Sequence, residues 1–202
     1  VSFLGKEVEK DWLLGLFDVF ENRYQIAIYC LTKIKEQCEV IVGDSSKLTE
    51  LRGKARDSSL EAEFIIKCEY FIYAICSCLD AMSYIVNYIY NFKSGNRVSI
   101  TDTYHKIKRK RDKFSRFLLK EWKKWIWEFK EIRNKMMHHQ IVQFQSTIEE
   151  QGTNVTFTKH SIKVSLMKSK EITKPLPAYF NEAIENYKNL KKEFYKMLNT
   201  AI

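Results

Sequence analysis

Apolar residues recur at three- and four-residue intervals along most of this chain, which is the periodicity of amphipathic helices. The first such stretch runs from about Glu7 to Glu39. The second begins near Ser58 and ends near Ser94, and its apolar residues occupy more than one side. We expect the second stretch to be the central helix of a bundle, and the polar segment 47–56 to be a connector or a minor helix.

A third helical stretch follows a run of basic residues that Thr101 and Asp102 are placed to cap. Its apolar stripe extends over 114–132 and continues towards Met137 and the adjoining histidines, with a break expected near Glu131. The pattern therefore predicts that one long helix leads into the histidines.

After the histidines the hydrophobic period changes to two, which is typical of strands. Ile141–Ile148 and Val155–Thr158 predict a β-hairpin whose turn contains Gly152, and Ser161–Leu166 is a candidate third strand. Two prolines at 175 and 177 end this region, and a last helix is predicted over about 178–198. The expected fold is mostly all-α. It is a bundle of four or five long helices in one domain, 1–202, with a small β-hairpin insertion at 141–177.

Composition agrees with this prediction and narrows the cellular setting. Only 2 prolines and 6 glycines occur in 202 residues, which permits long helices. No apolar run has the length of a signal peptide or a membrane span, so we expect a cytoplasmic protein. No Cys-x-x-Cys pair occurs, so we expect reduced, buried thiols without disulfides or zinc. The cysteines are Cys30, Cys38, Cys68, Cys76 and Cys78.

Positive charge is concentrated in one segment. Residues 101–140 hold 13 Lys and Arg against 5 Asp and Glu, which is most of the net charge of +9. A local basic stretch is the electrostatic footprint of a protein that binds a polyanion, although a solvated helix face gives the same count. The candidate contacts to an RNA backbone are Lys106, Lys108, Arg109, Lys110 and Arg111.

Three residues within six positions form the strongest candidate active site. Arg133 is a fixed cation, Asn134 a carboxamide and His138 a titratable imidazole. Asn134 and His138 are four apart and would share a helical face, while the long side chain of Arg133 can bend towards them. The three groups could converge on one phosphate.

The segment Arg133-Asn134-Lys135-Met136-Met137-His138 matches the R-x4-6-H signature of HEPN proteins, including the polar residue after the arginine. The chain resembles that superfamily over roughly 7–140 and the final helix. The resemblance implies metal-independent cleavage of RNA by attack of the ribose 2′-hydroxyl on the adjacent phosphate, without a cofactor. It also implies a homodimer that brings two motifs together, with Met136 and Met137 as contributors to the interface. A toxin or phage-defence role, with a neutralising protein as a further partner, belongs to the same expectation.

Other interpretations of these residues stay open. His139 is a second candidate imidazole, and Asp80 is a candidate partner for Arg133 across the bundle, because a buried carboxylate needs a counter-charge. A catalytically silent HEPN-like module that binds RNA, nucleotide or protein is the alternative function, and a helical interaction protein is a third. An active site requires Arg133 and His138 to be exposed together in a cleft, whereas a silent module could bury or separate them.

Overall fold

A computed structural model of the chain describes residues 3–38, 58–92, 98–138, 142–151, 155–165 and 171–201. The connector expected at 47–56 and the second candidate imidazole, His139, lie outside these residues. The helices are α1 (Phe3–Cys38), α2 (Ser58–Ile89), α3 (Ile100–Ile107), α4 (Lys113–Glu121), α5 (Trp127–Met137) and α6 (Ala178–Ala201). The strands are β1 (Val142–Gln151), β2 (Val155–Ser165) and β3 (Glu171–Leu176). The predicted fold class, mostly helical with a small antiparallel β insertion, is confirmed.

The longest helices, α1 and α2, pack antiparallel along their lengths. Trp12 near the start of α1 meets Tyr88 at the end of α2, with ring centroids 6.1 Å apart. Further along, the Cys78 thiol lies 3.5 Å from the backbone carbonyl of Phe20. Helix α6 completes this core, because its Phe180 ring stacks on Phe71 of α2 at 4.2 Å. The expected central position of α2 follows from its run of fully buried apolar side chains.

Four cysteines of these helices lie in the same core. Cys30, Cys68, Cys76 and Cys78 are buried, and none of these four thiols belongs to a disulfide. Burial raises the pKa of the Cys76 thiol and that of the Cys78 thiol to about 12, so both stay protonated at neutral pH. Among the described helices, none has the length and apolar character needed to cross a membrane.

The helix leading to the motif is interrupted earlier than expected. Its irregularity is a π-helical turn at Trp122–Ile126, and α5 runs unbroken past Glu131, so the break predicted there is wrong. Trp122 and Trp125 both lie in this turn and are buried in the core. The Trp125 indole N–H donates to the Glu121 carboxylate at 2.8 Å. The apolar stripe therefore crosses the π turn without a gap.

Helix α3 begins with a capping box. Ser99 is its N-cap, and the Asp102 carboxylate accepts a hydrogen bond from the Ser99 backbone N–H, so the cap predicted at Thr101 and Asp102 lies too late in the sequence. The helix then runs beside α2, where Thr103 accepts a hydrogen bond from Asn87. This pairing fixes the basic segment against the end of the central helix.

The β insertion is a three-stranded antiparallel sheet in the order β1-β2-β3. The hairpin prediction is confirmed, with Val142 opposite Val164 and Gln151 opposite Val155. The predicted third strand is wrong, because Ser161–Ser165 continues β2 and the third strand is β3, which includes Pro175. Buried Ile162 and Leu176 join the sheet to the helical core.

Asp112 stabilises the start of α4 as its N-cap, so its replacement should lower the free energy of unfolding. Its carboxylate accepts hydrogen bonds from the Ser115 backbone N–H at 2.9 Å and the Tyr90 hydroxyl at 2.7 Å. Burial raises the pKa of Asp112, but these hydrogen bonds outweigh burial and leave the pKa lowered. We expect Asp112→Ala to reduce the free energy of unfolding by about 1 kcal/mol at neutral pH, measured by urea denaturation.

The pH dependence of this loss has a definite sign. A carboxyl group whose pKa falls on folding contributes stability above its unfolded pKa, and that contribution disappears as the pH falls through the folded value. The difference between wild type and Asp112→Ala should therefore shrink as the pH falls below 3.8, the ordinary value for the pKa of an aspartate. Asp18→Ala, at an exposed position of α1, is the matched control. A difference that stays constant with pH would contradict this role of the carboxylate.

Candidate active site

The three motif residues lie at the end of α5. Arg133 and Asn134 belong to its last two turns, and His138 is the first residue beyond it, with φ −98° and ψ 20°. The His138 backbone N–H still donates to the Asn134 carbonyl at 3.1 Å. The sequence predicted that His138 and Asn134 share one helical face. Because the His138 backbone is no longer helical, its side chain departs from that face.

Exposure differs among the three side chains. Asn134 and His138 are exposed, so a ligand can reach both. The Arg133 side chain is only 25% exposed, and its Nε is a buried atom without a hydrogen-bond partner. The imidazole is therefore accessible, whereas the guanidinium is partly enclosed by the bundle.

Asp80 on α2 explains where Arg133 points. The Arg133 guanidinium lies 3.8 Å from an oxygen of the Asp80 carboxylate, which confirms the pairing predicted across the bundle. Lys130, one turn earlier on α5, places its ammonium 3.3 and 3.4 Å from the two oxygens of the same carboxylate. Asp80 also accepts a hydrogen bond at 3.0 Å from the backbone N–H of Ile100, the first residue of α3. One carboxylate thus joins α2, α3 and α5.

Sequence reasoning missed Lys130, because a lysine in an amphipathic helix normally lies on the solvent side. Its side chain is only 5% exposed, so its charge needs a partner. Asp80 supplies a single negative charge to the two cations, and the cluster keeps one positive charge. Such a cluster at the edge of the bundle is suited to bind an anion such as a phosphate.

The structure does not bring the motif side chains into contact with one another. Among the described residues, no hydrogen bond or ion pair joins the side chain of Arg133 to that of Asn134 or His138. Two surface grooves of about 500 and 610 Å³ are formed by described residues elsewhere, and neither includes the motif. The expectation of a shared cleft is therefore not met by either groove.

The predicted RNA-binding residues lie at the end of α3 and in the turn that follows it. The Lys106 ammonium donates to the Asn87 carboxamide oxygen at 3.3 Å. The Lys108 ammonium lies 4.3 Å from the centre of the Tyr104 ring. Arg109, Lys110 and Arg111 are exposed in the turn. Three of the five, Lys106, Arg109 and Lys110, line one groove, whereas Lys108 and Arg111 are not among its lining residues.

Two pairs of stacked aromatic rings lie beside the basic turn. Tyr104 stacks on Trp122 with centroids 4.3 Å apart, and Tyr90 stacks on Phe92 at 5.4 Å. The Lys110 ammonium lies 5.5 Å from the centres of both the Tyr90 and the Phe92 ring. No local pattern links these residues, since the rings come from three separate segments of the chain.

Within the ranges that the structure describes, no three His, Cys, Asp or Glu side chains are grouped so that they could hold a metal ion. Comparison of the chain with protein-family models, with curated proteins and with solved structures finds no match. The resemblance to HEPN proteins therefore depends on the motif and its helical setting.

The Asp80 cluster gives a stability prediction. Asp80→Asn keeps an acceptor for the Ile100 N–H but leaves the enclosed Lys130 ammonium without a counter-charge. We expect a loss of about 3 kcal/mol in the free energy of unfolding, at the low end for a broken buried pair because Asp80 is partly exposed. Urea denaturation followed by circular dichroism measures it.

The double variant Asp80→Asn/Lys130→Met is the control for this prediction. It removes the unpaired ammonium and keeps an apolar side chain of similar length, so it should recover part of the lost stability. If the double variant is less stable than Asp80→Asn alone, the charge on Lys130 is not what makes Asp80 necessary.

Proposed function

We propose that this chain is a HEPN-type, metal-independent endoribonuclease. The observation that carries the proposal is the arrangement at the end of α5, where an exposed imidazole adjoins a cluster that keeps one positive charge. His138 and Asn134 are exposed, and Arg133 at the same helix end is paired with Asp80. An imidazole can transfer a proton and a cation can stabilise charge at phosphorus, as phosphodiester cleavage needs. The R-x4-6-H resemblance assigns these residues to that reaction.

The reaction needs two proton transfers and charge stabilisation at phosphorus. The ribose 2′-oxygen bonds to phosphorus while the bond from phosphorus to the 5′-oxygen breaks, which leaves a cyclic phosphate and a free 5′-hydroxyl. One group takes the 2′-hydroxyl proton, and another gives a proton to the leaving oxygen. His138 performs one of these transfers. Arg133 stabilises the charge that develops on the non-bridging oxygens, and Asn134 adds a hydrogen bond.

A homodimer supplies the second proton-transfer group. Each chain offers one imidazole in the motif, so two motifs facing each other across a two-fold axis provide both the acid and the base. Paired Arg133 clusters would repel each other, and apolar burial beside them must offset that repulsion. Met137 is 54% exposed next to His138, as an interface residue would be.

Helix α2 carries an exposed stripe of large side chains on the same helix as Asp80. Ile66 and Tyr70 are 48% and 60% exposed, and the partly buried Tyr73 lies one turn further along the same face. We assign this stripe to contact with a second copy of the chain.

The cellular setting of the proposal depends on the resemblance alone. A cytoplasmic effector of toxin or phage-defence type would act on cellular or invading RNA, and a neutralising protein would restrain it. The basic residues 106–111 would hold the RNA backbone.

A catalytically silent HEPN-like module is the second candidate, and one observation favours it. Arg133 is three-quarters enclosed and paired with Asp80, and neither described groove contains the motif. Such a module would bind RNA, nucleotide or a protein partner through its positive surface without cleaving it.

Cleavage by variants of His138 separates the two candidates. We expect the purified protein to cleave mixed cellular RNA in the presence of EDTA, and His138→Ala to lower the rate about 10²- to 10⁴-fold. The fold should survive because His138 is exposed, which circular dichroism checks. His139→Ala is the matched control and should have a smaller effect. Absence of cleavage by the wild-type protein would favour the silent module.

The dimer proposal is tested through Tyr70. Tyr70→Glu places a charge in the exposed stripe of α2, so we expect monomers in light scattering and loss of cleavage in the same preparation. Asn189→Glu, at an exposed position of α6, should leave both unchanged. A wild-type protein that is monomeric at high concentration would rule out the composite site.

A further inference from the structure

One groove of the protein is distinct from the motif and combines an aromatic surface with cations. It has a volume of about 500 Å³ and is lined by Phe92, His105, Lys106, Arg109 and Lys110. The Phe92 ring is partly exposed, and Arg109 and Lys110 are exposed beside it. This combination differs from a plain basic surface, because it offers a flat apolar face together with donors for a phosphate.

The chemistry of these side chains matches a nucleotide whose base is unpaired. A base can stack on the Phe92 ring, as bases of single strands stack on aromatic side chains. The neighbouring phosphate would then meet the guanidinium of Arg109 and the ammonium of Lys110. The rings position the Lys110 ammonium, which lies 5.5 Å from the centres of both Phe92 and Tyr90, and Tyr90 is hydrogen-bonded to Asp112.

Helix α2 connects the groove to the motif. Asp80, which pairs with Arg133, and Ile89, which ends α2 just before the Tyr90 and Phe92 pair, are nine residues apart on this helix. The rise between them is about 14 Å at ~1.5 Å per residue. A stacked single strand with a rise of roughly 3.4 Å per nucleotide would cross it in about four nucleotides. Helix α3 runs beside this part of α2, from the contact of Ile100 with Asp80 to that of Lys106 with Asn87.

We propose that this groove binds one unpaired nucleotide of a single-stranded RNA, with the base on Phe92 and its phosphate on Arg109 and Lys110, about four nucleotides from the phosphate at Arg133. The assignment of that strand as the substrate rests on the proposed ribonuclease function. The groove's preference for a single strand does not, and it can be measured without cleavage.

The test uses the full chain carrying His138→Ala, so that the RNA stays intact, and a fluorescently labelled single-stranded oligoribonucleotide. Fluorescence anisotropy gives the affinity over a range of salt concentrations. Phe92→Leu, which keeps an apolar side chain without an aromatic face, should weaken binding roughly fivefold or more, and Phe92→Trp should retain it. A duplex of the same sequence should bind more weakly and should not respond to Phe92→Leu.

Arg109→Gln tests the phosphate contact and carries little risk to folding, because Arg109 is exposed. It should make the slope of log affinity against log salt less steep by about 0.7, the value for one phosphate of a single strand. Arg116→Gln removes the same charge from an exposed position of α4 outside the groove, and it should leave the slope nearly unchanged. Equal effects of the two arginine variants, or equal binding by Phe92→Leu and wild type, would overturn the groove assignment.

The outcome also separates this proposal from the ribonuclease. If the wild-type motif cleaves RNA but the groove variants bind it normally, the groove assignment fails and the enzyme stands. If the variants lose single-strand binding as expected but no RNA is cleaved, the groove stands and the nuclease fails. If both hold, Arg109→Gln should raise KM and leave kcat unchanged, since Arg109 lies away from the reacting phosphate.

Discussion

The carboxylate of Asp80 is the interaction on which the arrangement of the candidate site depends. Lys130 is almost fully enclosed, and its ammonium has lost most of its hydration, so a counter-charge within reach is required. The same carboxylate accepts the first N–H of α3 and pairs with Arg133. The position of the guanidinium is therefore set by the packing of α2 against α5. A change in that packing would move the candidate site together with the core.

This arrangement limits what Arg133 can do. Two cations three residues apart on one helix face a single carboxylate, so half of their charge is neutralised within the protein. The remaining positive charge corresponds to one phosphate of a nucleic-acid strand. If the proposed function holds, binding of a longer strand would draw on other cations, such as those of the basic turn at the far end of α3. Under the proposed function, the division of charge between these two places makes both necessary for a tight complex.

The long helices, the hairpin and the Asp80 partnership follow from the sequence, because periodicity and the cost of a buried carboxylate are local or pairwise rules. The enclosure of Lys130 could not be predicted, because it depends on where α2 lies. The π turn could not be predicted either, because Trp122 and Trp125 have the three-residue sequence spacing of an ordinary α-helix. The third strand was misplaced because Pro175 suggested an end, whereas β3 pairs only with β2 in the described sheet and such an edge tolerates proline. The aromatic groove joins segments distant in sequence, so no local pattern indicates it.

Assembly and RNA binding would be coupled in a composite site. Two Asp80 clusters facing each other across a two-fold axis each keep a positive charge, and that repulsion opposes dimerisation until a phosphate lies between them. RNA would therefore stabilise the dimer, and by reciprocity the dimer would bind RNA more tightly than the monomer does. The exposed stripe of α2 must supply enough apolar burial to bring the chains together, but a stripe strong enough to hold them permanently would remove the coupling. Tyrosines suit this intermediate requirement, because each combines a large apolar ring with a hydroxyl that can remain hydrated in the free chain.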